Sequence, residues 1–247
     1  MSLKDFELIK ELGKGAFGTV VLVKRREDGN IYAIKRVKIS QLNKKEQENS
    51  LNEVRILASI SHPNIIGYKE AFFDDDSKTL NMVMEYADDG DLENKIQKHI
   101  KNKTNVSENE LWSYLIQMIQ GLKSLHDNKI MHRDLKSANV FILKNGVLKL
   151  GDLNVSKVVK MGLVYTQTGT PYYASPEVWA DKPYDYKSDI WSVGCVMYEL
   201  SALKPPFRGN NLEQLYASVK KGILYFLYFF QVFMILYLVY IQKNIQK

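Results

Sequence analysis

The chain of 247 residues has one cysteine, six prolines, and no arginine beyond Arg208. A single cysteine excludes a disulfide framework, and Cys195, set in an apolar stretch, reads as a small buried hydrophobe. The opening Met1-Ser2-Leu3-Lys4-Asp5 lacks the hydrophobic run of a signal peptide, so a cytoplasmic location is expected. The net charge of +6 is spread along the chain without a dense basic block, which reads as a solvated surface and gives no nucleic-acid partner. What the chain does have is apolar mass. At 45% hydrophobic residues it can bury a large core, arranged as two lobes around one cleft.

The densest polar signal is His132-Arg133-Asp134-Leu135-Lys136-Ser137-Ala138-Asn139, with Asp152 following past a short hairpin. Two carboxylates, a cation and an amide at this spacing suit phosphoryl transfer. Asp134 would accept the proton of an attacking hydroxyl, and Lys136 would neutralise the moving phosphoryl group. Asn139 and Asp152 would hold Mg²⁺. The competing reading, a polar surface loop of an unrelated α/β protein, leaves the rest of the chain unexplained.

Near the N-terminus, Gly13-Lys14-Gly15-Ala16-Phe17-Gly18-Thr19-Val20 stands between the apolar runs Phe6–Ile9 and Val20–Val23. Alternating β-branched and aromatic residues predict a strand–turn–strand. A dinucleotide fingerprint would instead open a helix after its last glycine. The chain then turns at Glu27-Asp28-Gly29-Asn30 into Ile31-Tyr32-Ala33-Ile34-Lys35, a hairpin signal. Glycines here would let the backbone approach phosphates, and Val20 would lie over an adenine ring. Lys35 ends this strand and needs an anionic partner. Residues 43–60 carry apolar residues at helical spacing (Leu51, Val54, Leu57, Ala58), with Glu53 at the edge of that stripe. Glu53 is the expected partner, holding the lysine on the α- and β-phosphates.

On these residues, together with Gly169-Thr170-Pro171-Tyr172-Tyr173-Ala174-Ser175-Pro176-Glu177, the chain resembles the eukaryotic protein kinases over residues 6 to about 221. His62-Pro63-Asn64-Ile65-Ile66, Gly90-Asp91-Leu92 and Ser175-Pro176-Glu177 resemble the NIMA-related serine/threonine branch. The resemblance implies an α+β, bilobal kinase fold that uses ATP and Mg²⁺ on protein serine and threonine hydroxyls. It implies a nucleotide site built from Leu12, Gly13, Lys14, Gly15, Ala16, Phe17, Gly18, Val20, Ala33, Lys35, Glu85 and Ala87. Catalysis would fall to Asp134, Lys35, Lys136 and Glu53, and metal binding to Asn139 and Asp152. It further implies a small antiparallel β lobe with one helix over 1–84, with Met84 at the back of the adenine pocket and Glu85-Tyr86-Ala87 as hinge. A larger helical lobe would occupy 85–221. His132 would be a packing residue stacked with Leu57, Tyr68 and Leu153, and Asp189 would hold the catalytic-loop backbone. The competing role for Asp189 is a first-turn acid stabilised by the helix dipole. Arg133 would meet a phosphate on Thr166, or Thr168, added by an activating kinase or by autophosphorylation. Thr170 would bond Asp134 and Lys136.

Helices are predicted over 107–126, capped by Ser107 and Glu110, and over 188–203. Two departures from the family stand out. Asp152-Leu153-Asn154 replaces the usual Asp-Phe-Gly or Asp-Leu-Gly, although Asn tolerates a left-handed backbone better than other non-glycine residues. After Lys221 the family's further helices, with the arginine that pairs at the Glu177 position, are replaced by residues 222–241, twenty residues without a charge. If Glu177 is buried without that partner, the loss should cost about 3–5 kcal/mol. The tail is long enough to span a bilayer, which would tether the chain to a membrane, or it is a substitute core helix. Its Phe, Ile, Leu, Tyr, Asn, Lys and Met content favours a third origin, a frame change or retained intron in AT-rich DNA. The rival to an enzyme is an inert kinase-like interaction protein with an incomplete large lobe.

Overall fold

A computed structural model of the chain describes residues 2–15, 18–38, 54, 58–74, 77–153, 171–183 and 185–222. Strands β1 (Phe6–Gly15), β2 (Gly18–Arg25), β3 (Ile31–Lys38), β4 (Tyr68–Asp74) and β5 (Thr79–Glu85) form one antiparallel sheet in the order β1-β2-β3-β5-β4. The β2–β3 turn falls where the glycine signal places it. Gly29 takes φ +68°, and the Asp28 carboxylate accepts from the Asn30 N–H at 2.8 Å. On the face of the sheet away from Lys35, Phe6, Val21, Val23, Tyr32, Ile34 and Val83 form a compact core. Lys35 lies inside β3 and does not end it, because β3 runs on to Lys38 against β2 and β5.

The second part is mainly helical. Helix α1 (Leu92–Asn102) is capped by Asp91, whose carboxylate accepts from Asn94 N–H, and it buries Leu92 and Ile96. Helix α2 (Glu108–Asp127) starts with the expected capping box between Ser107 and Glu110. Its buried face, Leu115, Met118, Leu122 and Leu125, has the three- and four-residue spacing read from the sequence. Each of these side chains contributes about 1.5–3 kcal/mol by leaving water. A short helix α3 (Pro176–Trp179) precedes α4 (Tyr186–Ala202). Helix α4 begins two residues earlier than predicted, because Asp185 is its cap and Ser188 serves as the reciprocal partner. Residues 212–222 are also helical, and Leu215 and Val219 pack there with Phe207 and Cys195.

The β6–β7 hairpin (Val140–Ile142, Leu148–Leu150) lies between these parts. Leu150 N–H donates to Asn64 C=O, and Ile66 N–H donates to Leu150 C=O, so the segment before β4 is stitched to β7. Asn64 also donates its amide to Gln117 on α2 and to Leu148 C=O. Gly121 permits this approach, since a Cβ there would stand 2.7 Å from the Asn64 carbonyl oxygen. Among the described residues no helix is long and apolar enough to cross a membrane. The tail beyond Gly222 lies outside them, as do Glu53 and Leu57 of the predicted 43–60 helix, Asn154, Thr166, Thr168 and Thr170.

Candidate active site

The polar loop after α2 is held from below by one buried carboxylate. Asp189, in the first turn of α4 and wholly inaccessible to solvent, accepts from the backbone N–H groups of His132 and Arg133, both at 3.0 Å. It also faces His126 Nε2 at 2.8 Å. The loop needs such an anchor because Arg133 sits at φ +67°, a left-handed backbone that costs a residue with a side chain. Anchoring the loop and lying at the positive end of a helix are both true of Asp189.

With the backbone fixed, the functional groups converge. Lys136 Nζ lies 3.1 Å from Asp134 Oδ2. Asn139 Nδ2 donates to the Asp134 carbonyl at 2.8 Å and to its Oδ2 at 3.2 Å. The Gly151 N–H donates to Asn139 C=O, bringing Asp152 alongside the turn Ser137–Asn139. Gly151 is crowded, since a Cβ would meet the Phe141 ring at 2.6 Å and Ile66 at 2.9 Å. Asp152 itself takes φ +52°, a left-handed backbone. From the sheet above, Lys35 Nζ reaches Asp152 Oδ1 at 2.9 Å. Burial works to raise the Asp152 carboxyl, but the Lys35 ammonium, helped by Lys136, outweighs it and holds the group below the ordinary carboxylate value. Asp152 is the described partner of Lys35, and Glu53 lies outside the described residues.

The glycine-rich turn joins β1 to β2, the strand paired with the one that carries Lys35. Gly13 pairs with Val20, Lys14 with Thr19 and Gly15 with Gly18, while Ala16 and Phe17 at the tip lie outside the described residues. The glycines serve different needs. A Cβ on Gly18 would run into the Arg36 carbonyl of β3, whereas one on Gly13 would meet nothing. Gly18 is thus required by the sheet, and Gly13 leaves open space. Gly18→Ala is expected to pry β2 from β3, costing about 1–3 kcal/mol of stability and weakening nucleotide binding, as thermal melts and titration with Mg-ADP would show. Val20 pairs with Lys35 and Ala33 with Met84, and because Ala33 and Lys35 are two residues apart on β3 these four share one face of the sheet, whereas Tyr32 and Glu85 pair on the other face. Leu12 is exposed beside them, and Ala87 is buried just past β5.

Residues 6–237 match the family described as "Protein kinase domain". The chain belongs to the protein kinase family. Among its curated relatives, mouse "Serine/threonine-protein kinase Nek1" is 40% identical over 222 residues, covering 89% of this chain and 18% of that protein. Human "Serine/threonine-protein kinase Nek5" is 43% identical over 220 residues, covering 88% of this chain and 30% of that protein. The Dictyostelium discoideum "Probable serine/threonine-protein kinase nek2" is 38% identical over 224 residues, 89% of this chain and 54% of that protein. These relatives place the chain with the NIMA-related branch, and it spans roughly half of their length or less.

Within this kinase fold, His132 is a packing residue. It is completely buried, its Nδ1 accepts from Asp134 N–H, and its Nε2 has no hydrogen-bond partner among the described residues. Leu153 and Tyr68 belong to the large core cluster nearby. Burial pushes the His132 pKa down despite the facing carboxylates of Asp189, Asp134 and Asp152. A depressed pKa in the fold means that the unfolded chain binds the extra proton more readily, so stability present above pH 6.5 is lost as pH falls below it. Urea midpoints at pH 7.5 and 5.5 are expected to fall for the wild type, with a smaller fall for His132→Phe.

Two features were invisible to spacing arguments. Tyr173 donates to Glu199 at 2.6 Å and meets the Ser137 hydroxyl at 2.9 Å, tying the segment after residue 170 to the His132–Asn139 loop and α4. Glu177 is half-buried and accepts from the Ser188 hydroxyl at 2.6 Å. Among the described residues a neutral hydroxyl from α4 is thus a side-chain partner of this glutamate.

Proposed function

We propose that this chain is an ATP-dependent serine/threonine protein kinase that moves the γ-phosphoryl group of Mg-ATP to protein hydroxyls. The observation that carries the reading is the convergence of Asp134, Lys136, Asn139, Asp152 and Lys35 in one cleft beneath a glycine-rich hairpin. Among the described residues no three His, Cys, Asp or Glu side chains form a metal cage. That suits Mg²⁺, which is ordinarily held by one or two carboxylates together with substrate phosphates. Asp152, kept ionised, and the Oδ1 of Asn139, whose Nδ2 is already engaged by Asp134, are the oxygen donors for it. When bound, the metal neutralises charge on the phosphates.

The chain's own residues do the rest. Asp134, within reach of Lys136 and fixed by Asn139, takes the proton of the attacking serine or threonine hydroxyl. Lys136 offsets charge on the group in transit, and Lys35 holds the α- and β-phosphates. The backbone of Glu85 and Ala87 pairs with the adenine edge, while Val20 and Ala33, on one face of the sheet, cover one face of the ring. Residues 1–84 form the nucleotide-binding lobe and 85–221 the lobe that carries the catalytic loop. Thr166 or Thr168 is the site for an activating phosphate, which Arg133 would pair with.

Nucleotide binding is the first requirement. Full-length protein should melt higher in Mg-ADP, by about 2.7 kcal/mol of added stability at a hundredfold excess over Kd, and chelation with EDTA should remove most of that gain. A folded chain indifferent to nucleotide would refute the proposal. A chain that binds Mg-ATP but transfers nothing would favour the inert interaction protein.

A further inference from the structure

Behind the proposed adenine site, Glu85 makes a set of contacts that the catalytic scheme does not use. Its carboxylate lies 2.8 Å from the ammonium of Lys149 on β7, and both side chains are largely shielded, at 28% and 11% exposure. The same carboxylate accepts from the Gly67 N–H at 3.0 Å, while the Glu85 N–H donates to the Gly67 carbonyl at 2.8 Å. Glu85 therefore grips both backbone groups of Gly67 and one side chain of β7. Gly67 suits this grip, because a Cβ there would press on Glu85 Oε2 at 3.2 Å. Gly67 immediately follows the segment stitched to β7 through Asn64, Ile66 and Leu150. Three pieces of chain remote in sequence thus meet at the last residue of β5.

That residue is also where the chain leaves the sheet for Tyr86 and Ala87. Lys149, in turn, lies on β7, which leads through Gly151 into Asp152. An ion pair shielded from water keeps more of its strength than a surface pair, and truncating one partner leaves the other charge uncompensated. Loss of Lys149 would release the Glu85 carboxylate toward solvent and let the end of β5 relax.

We propose that the Glu85–Lys149–Gly67 clamp sets nucleotide affinity, by fixing the backbone that receives the adenine against the β6–β7 hairpin. Glu85 and Lys149 are then positioning residues, and Lys149 touches neither nucleotide nor protein substrate. This inference rests on the nucleotide site proposed above.

The test is a kinetic and binding comparison on the full chain. Lys149→Met should raise the Kd for Mg-ADP and the KM for ATP by about five- to tenfold, the scale of one lost hydrogen bond. kcat and the KM for a generic serine/threonine substrate should stay within about twofold. Lys149→Arg, which keeps the cation, should restore nucleotide affinity. Gly67→Ala, which crowds the carboxylate while leaving Lys149 in place, should shift affinity in the same direction, and it carries the test should Lys149→Met fail to fold. Unchanged nucleotide affinity in Gly67→Ala and Lys149→Met would overturn the inference, as would a uniform fall of all parameters that Lys149→Arg does not repair. A wild-type chain that binds no nucleotide would remove the underlying reading as well, which distinguishes the two failures.

Discussion

Asp134→Ala is expected to lower phosphoryl transfer by about 10²–10⁴-fold, the usual contribution of a positioned general base, while the affinity for Mg-ADP stays within about twofold. The split follows from the geometry. Asp134 contacts Lys136 and Asn139, on the loop side of the cleft. The groups assigned to the nucleotide lie on the sheet side, in β1 to β3 and at the end of β5. Deleting the carboxylate also leaves Lys136 without its described partner, so part of the loss reflects a less well-held lysine. Asp134→Asn separates the two effects. It keeps an acceptor near Lys136 and Asn139 but takes up a proton poorly, so it should be nearly as slow as Asp134→Ala with little change in thermal stability. Initial rates at saturating Mg-ATP, read beside nucleotide titrations, check both. A parallel loss of nucleotide binding would move Asp134 from proton acceptor to structural support.

The second large effect is on stability. Asp189→Ala removes a fully buried carboxylate that satisfies two backbone N–H groups and faces His126. Each orphaned donor costs about 1–3 kcal/mol. A total on the order of 3–5 kcal/mol is expected, a large share of the 5–15 kcal/mol that holds most domains together. Because Arg133 sits at φ +67°, the released loop has a further reason to relax toward an ordinary backbone. Activity should therefore vanish along with much of the stability, in contrast to Asp134→Asn. Chemical denaturation followed by circular dichroism measures the difference. A variant as stable as the wild type would show that the loop is held by other contacts.

Much of this was legible because the signals are local. The hairpin at Asp28-Gly29, the capping box of Ser107 and Glu110, and the apolar face of α2 each depend on residues within a few positions of one another. The polar loop was legible because its chemistry is compressed into eight residues. What escaped depends on residues brought together from afar. Lys35 finds Asp152 across 117 positions, and nothing near Lys35 in sequence announces this. The partner of Glu177 is a serine that reads only as part of an apolar helix. Gly13 and Gly18 look alike in the motif, and only the position of the Arg36 carbonyl shows that one serves the sheet and the other leaves space. Helix α4 starts ahead of its apolar run because Asp185 and Ser188 cap it there, a signal set outside that run.

Transfer of the γ-phosphate of Mg-ATP to a generic serine/threonine protein by purified full-length chain tests the central claim most directly, with Asp134→Ala measured in parallel and the modified residues identified. The account predicts phosphoserine or phosphothreonine on the acceptor, abolished by the substitution and by EDTA. A folded, nucleotide-binding chain that leaves the acceptor unmodified, or one whose transfer survives Asp134→Ala, would contradict it.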